Sequence, residues 1–146
     1  MNNFQYIQQT FLLHKDLQSG EIEEVIKVSQ NVSSYLQSLP NSFSKTFQMH
    51  MKRAGLTIEE LEKRSNVSKN TIIRCRTVIP YTPSKETLLR LCIGMDLEFP
   101  LAIDLFRKAG YFLGNRKEDV LYILILSSFD HYRLSLCERL LSVYAE

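Results

Sequence analysis

The chain is predicted to be all-α, on three observations. Apolar residues recur at spacings of three and four, the repeat of a helix face rather than of a strand. With Gly 5 and Pro 4 among 146 residues, the sequence is short of the turn residues that a β-sandwich or barrel uses. Ser, Thr and Asn also stand just ahead of several apolar-periodic stretches, where a helix N-terminus needs a side-chain oxygen. The composition, 45% hydrophobic and 23% charged, is that of a folded chain with enough apolar surface to offset the entropy of ordering. The length fits one domain, or one small domain with an elaborated end.

Residues 3–18 form the first predicted helix, with Phe4, Ile7, Phe11, His14 and Leu17 along one face. Gly20 is expected to break it. Residues 21–37 make the next, with Ile22, Val25, Ser29, Val32 and Leu36 as its stripe and Ile26 beside them. Asp16, Glu21, Glu23 and Glu24 cluster near its start, where the helix dipole favours negative charge. Leu39-Pro40-Asn41 ends it. Together the two read as an antiparallel hairpin over residues 1–40, whose stripe is either intramolecular core or a dimer face.

Residues 43–54 carry Phe43, Phe47, Met51 and Ala54 at helical spacing and close at Gly55. Thr57-Ile58-Glu59-Glu60 is a capping box for a short helix through Leu61 and Arg64. Ser65-Asn66-Val67 is a tight turn, and Asn66 takes a left-handed backbone more readily than most residues. Ser68 is the next N-cap, and Thr71, Ile72 and Cys75 give the following short helix its inner face. Ile79-Pro80-Tyr81-Thr82-Pro83 is a break. Ser84 opens a helix with Leu88, Leu91 and Cys92 inward, ending at Gly94. Another runs over about residues 100–109 and stops at Gly110. Asn115-Arg116-Lys117-Glu118 is a further cap-like start, followed by an apolar run over residues 120–126. Periodicity does not separate a buried strand from a buried helix there, but the helical surroundings favour a helix. The last helix covers about residues 135–144, with Leu136, Leu140, Leu141 and Tyr144 as its stripe.

Several function classes are set aside at this level. The N-terminus has no basic start and no continuous apolar stretch, so it is not read as a signal peptide. The longest apolar run has seven residues, against about 20 for a membrane span. Cys75, Cys92 and Cys137 are odd in number and form no C-x-x-C, which suggests a reduced, cytoplasmic setting and core packing rather than disulfides or zinc. His14, His50 and His131 are scattered, so no metal and no cofactor is expected. No motif with a catalytic mechanism is present, and no enzyme activity is expected. Tyr111, Phe112, Tyr122, Phe129, Tyr132 and Tyr144 are read as packing residues.

Charge is informative once divided. Residues 45–90 hold ten Lys/Arg against four acids, a net +6 in a chain of net +2, so the flanks together carry −4. A basic middle between acidic ends suits a polyanion. Inside it lie two short helices joined by a three-residue turn, the arrangement of a helix-turn-helix. The first helix braces the second, which is narrow enough for the major groove of B-DNA. Its early outward residues reach base edges: Lys69, Asn70, Ile73 and Arg74. Arg pairs bidentately with guanine and Asn with adenine, and an exposed Ile73 suits a thymine methyl or a protein contact. Thr57, Lys63, Ser68, Thr71 and Arg76 are the candidates for phosphate.

The stretches L-T-I-E-E-L from Leu56, V-S-K-N-T-I from Val67 and P-S-K-E-T-L-L-R-L from Pro83 resemble the Cro/C1-type (XRE) helix-turn-helix family. The resemblance covers about residues 45–99. It implies a compact five-helix DNA-binding domain, often part of a dimeric repressor. It also implies that Lys69, Asn70 and Arg74 occupy base-reading positions, and that Ile58 occupies the phosphate-contacting position at the start of the bracing helix. The chain departs from the pattern at Ile58, where a polar residue is usual, at Glu62, where a small residue is usual, and at Asn66, where Gly is usual. Glu62 is expected either to splay outward or to pair with Arg64, Lys69 or Arg76, since an unpaired buried carboxylate is costly.

The expectation is a helical hairpin over 1–40, a helix-turn-helix domain over 41–110 and C-terminal helices over 111–146 packed on it. The chain would act as a bacterial or phage-type regulator, repressor-like, that binds double-stranded DNA sequence-specifically as a homodimer, with no membrane partner. The stripe of residues 22–36 and the 120–126 run are the candidate dimer surfaces. The rival expectation is a degenerate helix-turn-helix that serves as a protein–protein adaptor or an antagonist of another regulator.

Overall fold

A computed structural model describes residues 19–127 and 133–144. Every regular element among them is helical: α1 (Ser19–Ser38), α2 (Phe43–Ala54), α3 (Ile58–Ser65), α4 (Lys69–Thr77), α5 (Lys85–Gly94), α6 (Phe99–Lys108), α7 (Lys117–Leu126) and α8 (Arg133–Tyr144). The first predicted helix, over residues 3–18, lies outside the described residues, and with it one arm of the hairpin. His131, Phe129 and Tyr132 also lie outside them, as do the side chains of Leu136 and Tyr144.

The helix ends follow local chemistry where a small oxygen-bearing side chain is available. Ser42 accepts the Lys45 N–H at 3.2 Å and caps α2. Gly55 ends that helix in the left-handed region, φ 68, where a residue without Cβ has no steric cost. Ser84 accepts the Thr87 N–H at 3.2 Å and caps α5. Two expectations about ends are corrected. Gly20, expected to break the chain between two helices, is itself helical and lies within α1. Asn115 does not cap α7, whose N-cap is Arg116 without a side-chain bond.

Asp119 supplies the missing anchor of α7. Its Oδ2 accepts the Gly114 N–H at 3.1 Å and its Oδ1 takes the Lys85 ammonium at 2.9 Å. The Lys85 hydrogen bond, helped by that of Gly114, holds this carboxyl below the usual range although burial works the other way. The start of α7 is thereby tied to the start of α5. Tyr111 ties the same corner, donating its hydroxyl to the Pro83 carbonyl at 2.7 Å.

The core is built around α5, whose Leu88, Leu89, Leu91 and Cys92 are all fully buried. On one side α5 meets α3. The approach is so close that a Cβ on Gly94 would stand 2.8 Å from Ser65 Cβ and 3.0 Å from Leu61 Cδ1. Gly94 ends α5 as expected, yet it is required by this packing rather than by the turn. The backbone enters the left-handed region two residues later, at Asp96, φ 51. On its other sides α5 meets α6, α7 and α8, so the C-terminal helices share one core with the middle of the chain. Arg90 of α5 also pairs with Glu138 of α8. The 120–126 run is helical, with Tyr122, Ile125 and Leu126 inward. Phe112, expected to pack, is 78% exposed; it stands in the loop between α6 and α7, where no described helix covers it. No described helix is long and apolar enough to cross a membrane.

Candidate nucleic-acid interface

The α3–α4 pair is held by its caps and turn. The Glu60 N–H donates to Thr57 Oγ1 at 3.1 Å, the forward half of the expected capping box. Asn66 takes the left-handed conformation, φ 59 and ψ 31, and its N–H returns to the Glu62 carbonyl at 2.9 Å. Ser65, fully buried behind the turn, donates to the Leu61 carbonyl at 2.6 Å and accepts the Val67 N–H at 3.2 Å. Ser68 then caps α4 by accepting the Thr71 N–H at 3.3 Å, and its hydroxyl shares a 2.9 Å hydrogen bond with Thr71 Oγ1.

Burial orients α4. Leu61 of α3 and Ile72 and Cys75 of α4 are fully buried and join the common core. Burial pushes the Cys75 thiol up to about 12, which makes it an inert core residue at neutral pH. Two side chains of α2 hold the far end of α4. Ser44 donates its hydroxyl to the Arg76 carbonyl at 2.7 Å, and the Gln48 amide donates to the same oxygen. Neither residue stands out in the sequence, because their role exists only once α2 and α4 cross.

The proposed contact residues then separate. Lys69, Asn70, Arg74, Ser68, Thr57 and Lys63 are exposed; Thr71, Ile73 and Arg76 are half-buried. Asn70 and Arg74 are one turn apart and share an outward face. Ile73 is therefore less available than the exposed residue expected from helical spacing. Ile58 is also half-buried and packs against the core, which accounts for an apolar residue at the start of α3.

Two acidic residues shape this surface beyond what the spacing suggests. The Lys69 N–H, the first of α4, donates to Glu62 Oε2 at 2.6 Å. Of the options open to Glu62, the structure selects Lys69, through its backbone. The Lys69 ammonium pairs with Glu59 Oε1 at 2.9 Å. That hydrogen bond raises the Lys69 pKa and lowers that of Glu59. The N-terminal end of α4, a favourable place for a negative group, thus already holds the chain's own carboxylate. Glu62 could be suspected from its position in the motif; Glu59 has no signal in the sequence beyond its charge.

Among the described residues no group of three or more His, Cys, Asp and Glu is placed to hold a metal ion. No protein-family model, curated protein or solved structure matches the chain. The functional reading rests on the residues and their geometry.

Proposed function

We propose that the chain is a repressor-like transcriptional regulator of bacterial or phage type that binds double-stranded DNA sequence-specifically. In this reading α2–α6 form the five-helix unit of the Cro/C1-type resemblance, and α4 enters the major groove. The observation that carries it is the outward face of α4. Asn70 and Arg74 stand one turn apart, exposed, beside Lys69, on a helix locked from behind by Ile72, Cys75 and the Arg76 carbonyl. Rigid placement of a few polar side chains is what base reading demands, and the net +6 of residues 45–90 supplies the attraction to phosphate. Lys63, Ser68, Thr57 and Arg76 flank that face. One such unit covers few base pairs, so the functional species is a homodimer. Ile22 and Ile26 of α1 and Val120 and Leu124 of α7 are exposed apolar residues suited to joining two copies.

A second reading has its own observation. Glu62 occupies the Lys69 N–H and Glu59 neutralises its ammonium, so the end of α4 nearest the DNA is already satisfied internally. That arrangement suits a helix-turn-helix that meets a protein instead, as an adaptor or an antagonist of another regulator.

The test is fluorescence anisotropy of the protein against a pool of duplex fragments from its own genome, at two salt concentrations. Arg74→Ala should cost about 1–3 kcal/mol on the selected fragment and little on random duplex. Absence of any selected fragment at either salt supports the adaptor reading.

A further inference from the structure

Helices α2 and α4 contain no Asp or Glu. Between them they carry Lys45, Lys52 and Arg53 on α2 and Lys69, Arg74 and Arg76 on α4. Carboxylates of other elements answer two of these cations. Arg53 pairs with Glu98 at 2.7 Å, and Lys69 pairs with Glu59 at 2.9 Å. Lys45, Lys52, Arg74 and Arg76 make no ion pair among the described residues. Soluble surfaces usually mix both signs, and on these two helices the mixing is missing.

The crossing of the helices brings the unpaired cations to one region. Ser44 and Gln48 both donate to the Arg76 carbonyl, so this side of α2 lies on the last turn of α4. Lys45 and Lys52 stand one turn to either side of Gln48, three residues before it and four after, on the same helix face. Lys45, Lys52 and Arg74 are exposed and Arg76 is half-buried. Lys45 also lies in the first turn of α2, where the helix dipole disfavours a cation and no acidic residue offsets it. Nothing inside the described chain rewards a positive charge there.

The other end of α4 has the opposite balance. Glu62 accepts the Lys69 N–H at 2.6 Å and Glu59 holds its ammonium, two carboxylates against one ammonium. Were Lys69 to swing to a phosphate, it would leave Glu59 facing the same backbone. Helix α4 is therefore polarised along its length, with its unpaired cations towards the end that α2 crosses.

We infer, on the duplex-binding reading proposed above, that the α2–α4 crossing is where the phosphate backbone sits, with Lys45 and Lys52 joining Arg76 as phosphate-holding residues. The Lys69 end of α4 makes no net phosphate contact. A duplex carries one negative charge per about 1.7 Å of its axis, and an unpaired cation gains by displacing the counterions condensed on it. An ammonium already matched by a carboxylate displaces few. Asn70 and Arg74 then carry the base reading, and α2 sets how firmly the duplex is held.

The test is anisotropy of the full chain on one random-sequence duplex across a series of salt concentrations. The slope of log K against log salt counts phosphate contacts at about 0.9 each. Lys45→Gln and Lys52→Gln should each flatten the slope by about 0.9, and Lys69→Gln should leave it unchanged. A random duplex separates this contact from base reading. Flattened slopes in a protein that prefers no sequence would support the inference and sink the base-reading face. Binding whose slope ignores both Lys45→Gln and Lys52→Gln would overturn the inference and leave DNA binding standing, with the phosphates held elsewhere. A slope that flattens as much in Lys69→Gln would overturn the polarity of α4. No duplex binding at any salt would overturn this inference and the DNA reading together, and would leave the basic crossing to an acidic protein partner.

Discussion

Helices α4 and α7 are nearly equal in length, nine and ten residues, and they are built on opposite plans. The start of α4 is set locally: Ser68 caps it, Asn66 turns the chain into it, and Glu62 takes its first N–H. Only Ile72 and Cys75 are buried, and apart from the half-buried Ile73 the rest of its surface is polar. At α7 there is no side-chain cap, apolar residues lie on every side, and the fixed point comes from Asp119 reaching Lys85 across the fold. The contrast bears on what each can do. A helix whose start is fixed locally can leave its outer face free for a ligand, whereas one whose start is fixed by distant contacts belongs to the body that carries it.

The inner faces should be equally important despite this difference. Ile72→Ala and Ile125→Ala each remove a buried side chain and are expected to lower stability by about 2–5 kcal/mol in urea titrations. A much smaller loss at Ile72 would mean that α4 is docked loosely, contrary to the rigid reading face proposed above.

Acid asks whether the two helices belong to one cooperative unit. The His50 pKa is depressed in the folded state, to about 4 from 6.5, so the unfolded chain binds the extra proton first. The His50 contribution to stability is therefore fully present above pH about 6.5 and is lost as the pH drops towards 4, by up to about 3 kcal/mol. Hydrogen exchange across that window should show the amides of α4 and α7 losing protection together. If α7 stays protected while α4 opens, the shared core has been overstated.

The anchors should differ. Asp119→Ala leaves Lys85 unpaired and the Gly114 N–H without its acceptor, an expected loss of about 1–3 kcal/mol. Ser68→Ala removes a cap at an exposed helix start and should cost about 1 kcal/mol. Thermal melts of the two variants side by side order these effects, and a reversed order would contradict the local-versus-distant contrast.

The same contrast explains what could be read from the sequence. Thr57, Asn66, Ser68, Ser84 and Gly55 act within a few residues of themselves, and their roles follow from residue type and spacing. The helical character of the 120–126 run followed only from its surroundings. Long-range roles stayed hidden. Gly94 is small because Ser65 approaches it, not because a helix ends there. Ser44 and Gln48 matter because α2 crosses the end of α4. His50 is one of three scattered histidines until the fold buries it beside Arg53. In the candidate interface, the outward positions of Lys69, Asn70 and Arg74 were legible from helical spacing, and Lys69 was among the partners open to Glu62; the pairing of Glu59 with the Lys69 ammonium was not legible.

The central claim is that the outward face of α4 reads bases. Its most direct test is the ratio of Kd values for the selected duplex and a scrambled one, measured by anisotropy for the unmodified protein and for Arg74→Ala at the same salt. The account predicts a clear preference for the selected duplex that shrinks by roughly ten- to a hundred-fold in the variant, while scrambled-duplex affinity barely changes. Equal losses on both duplexes, or no preference to begin with, would contradict it.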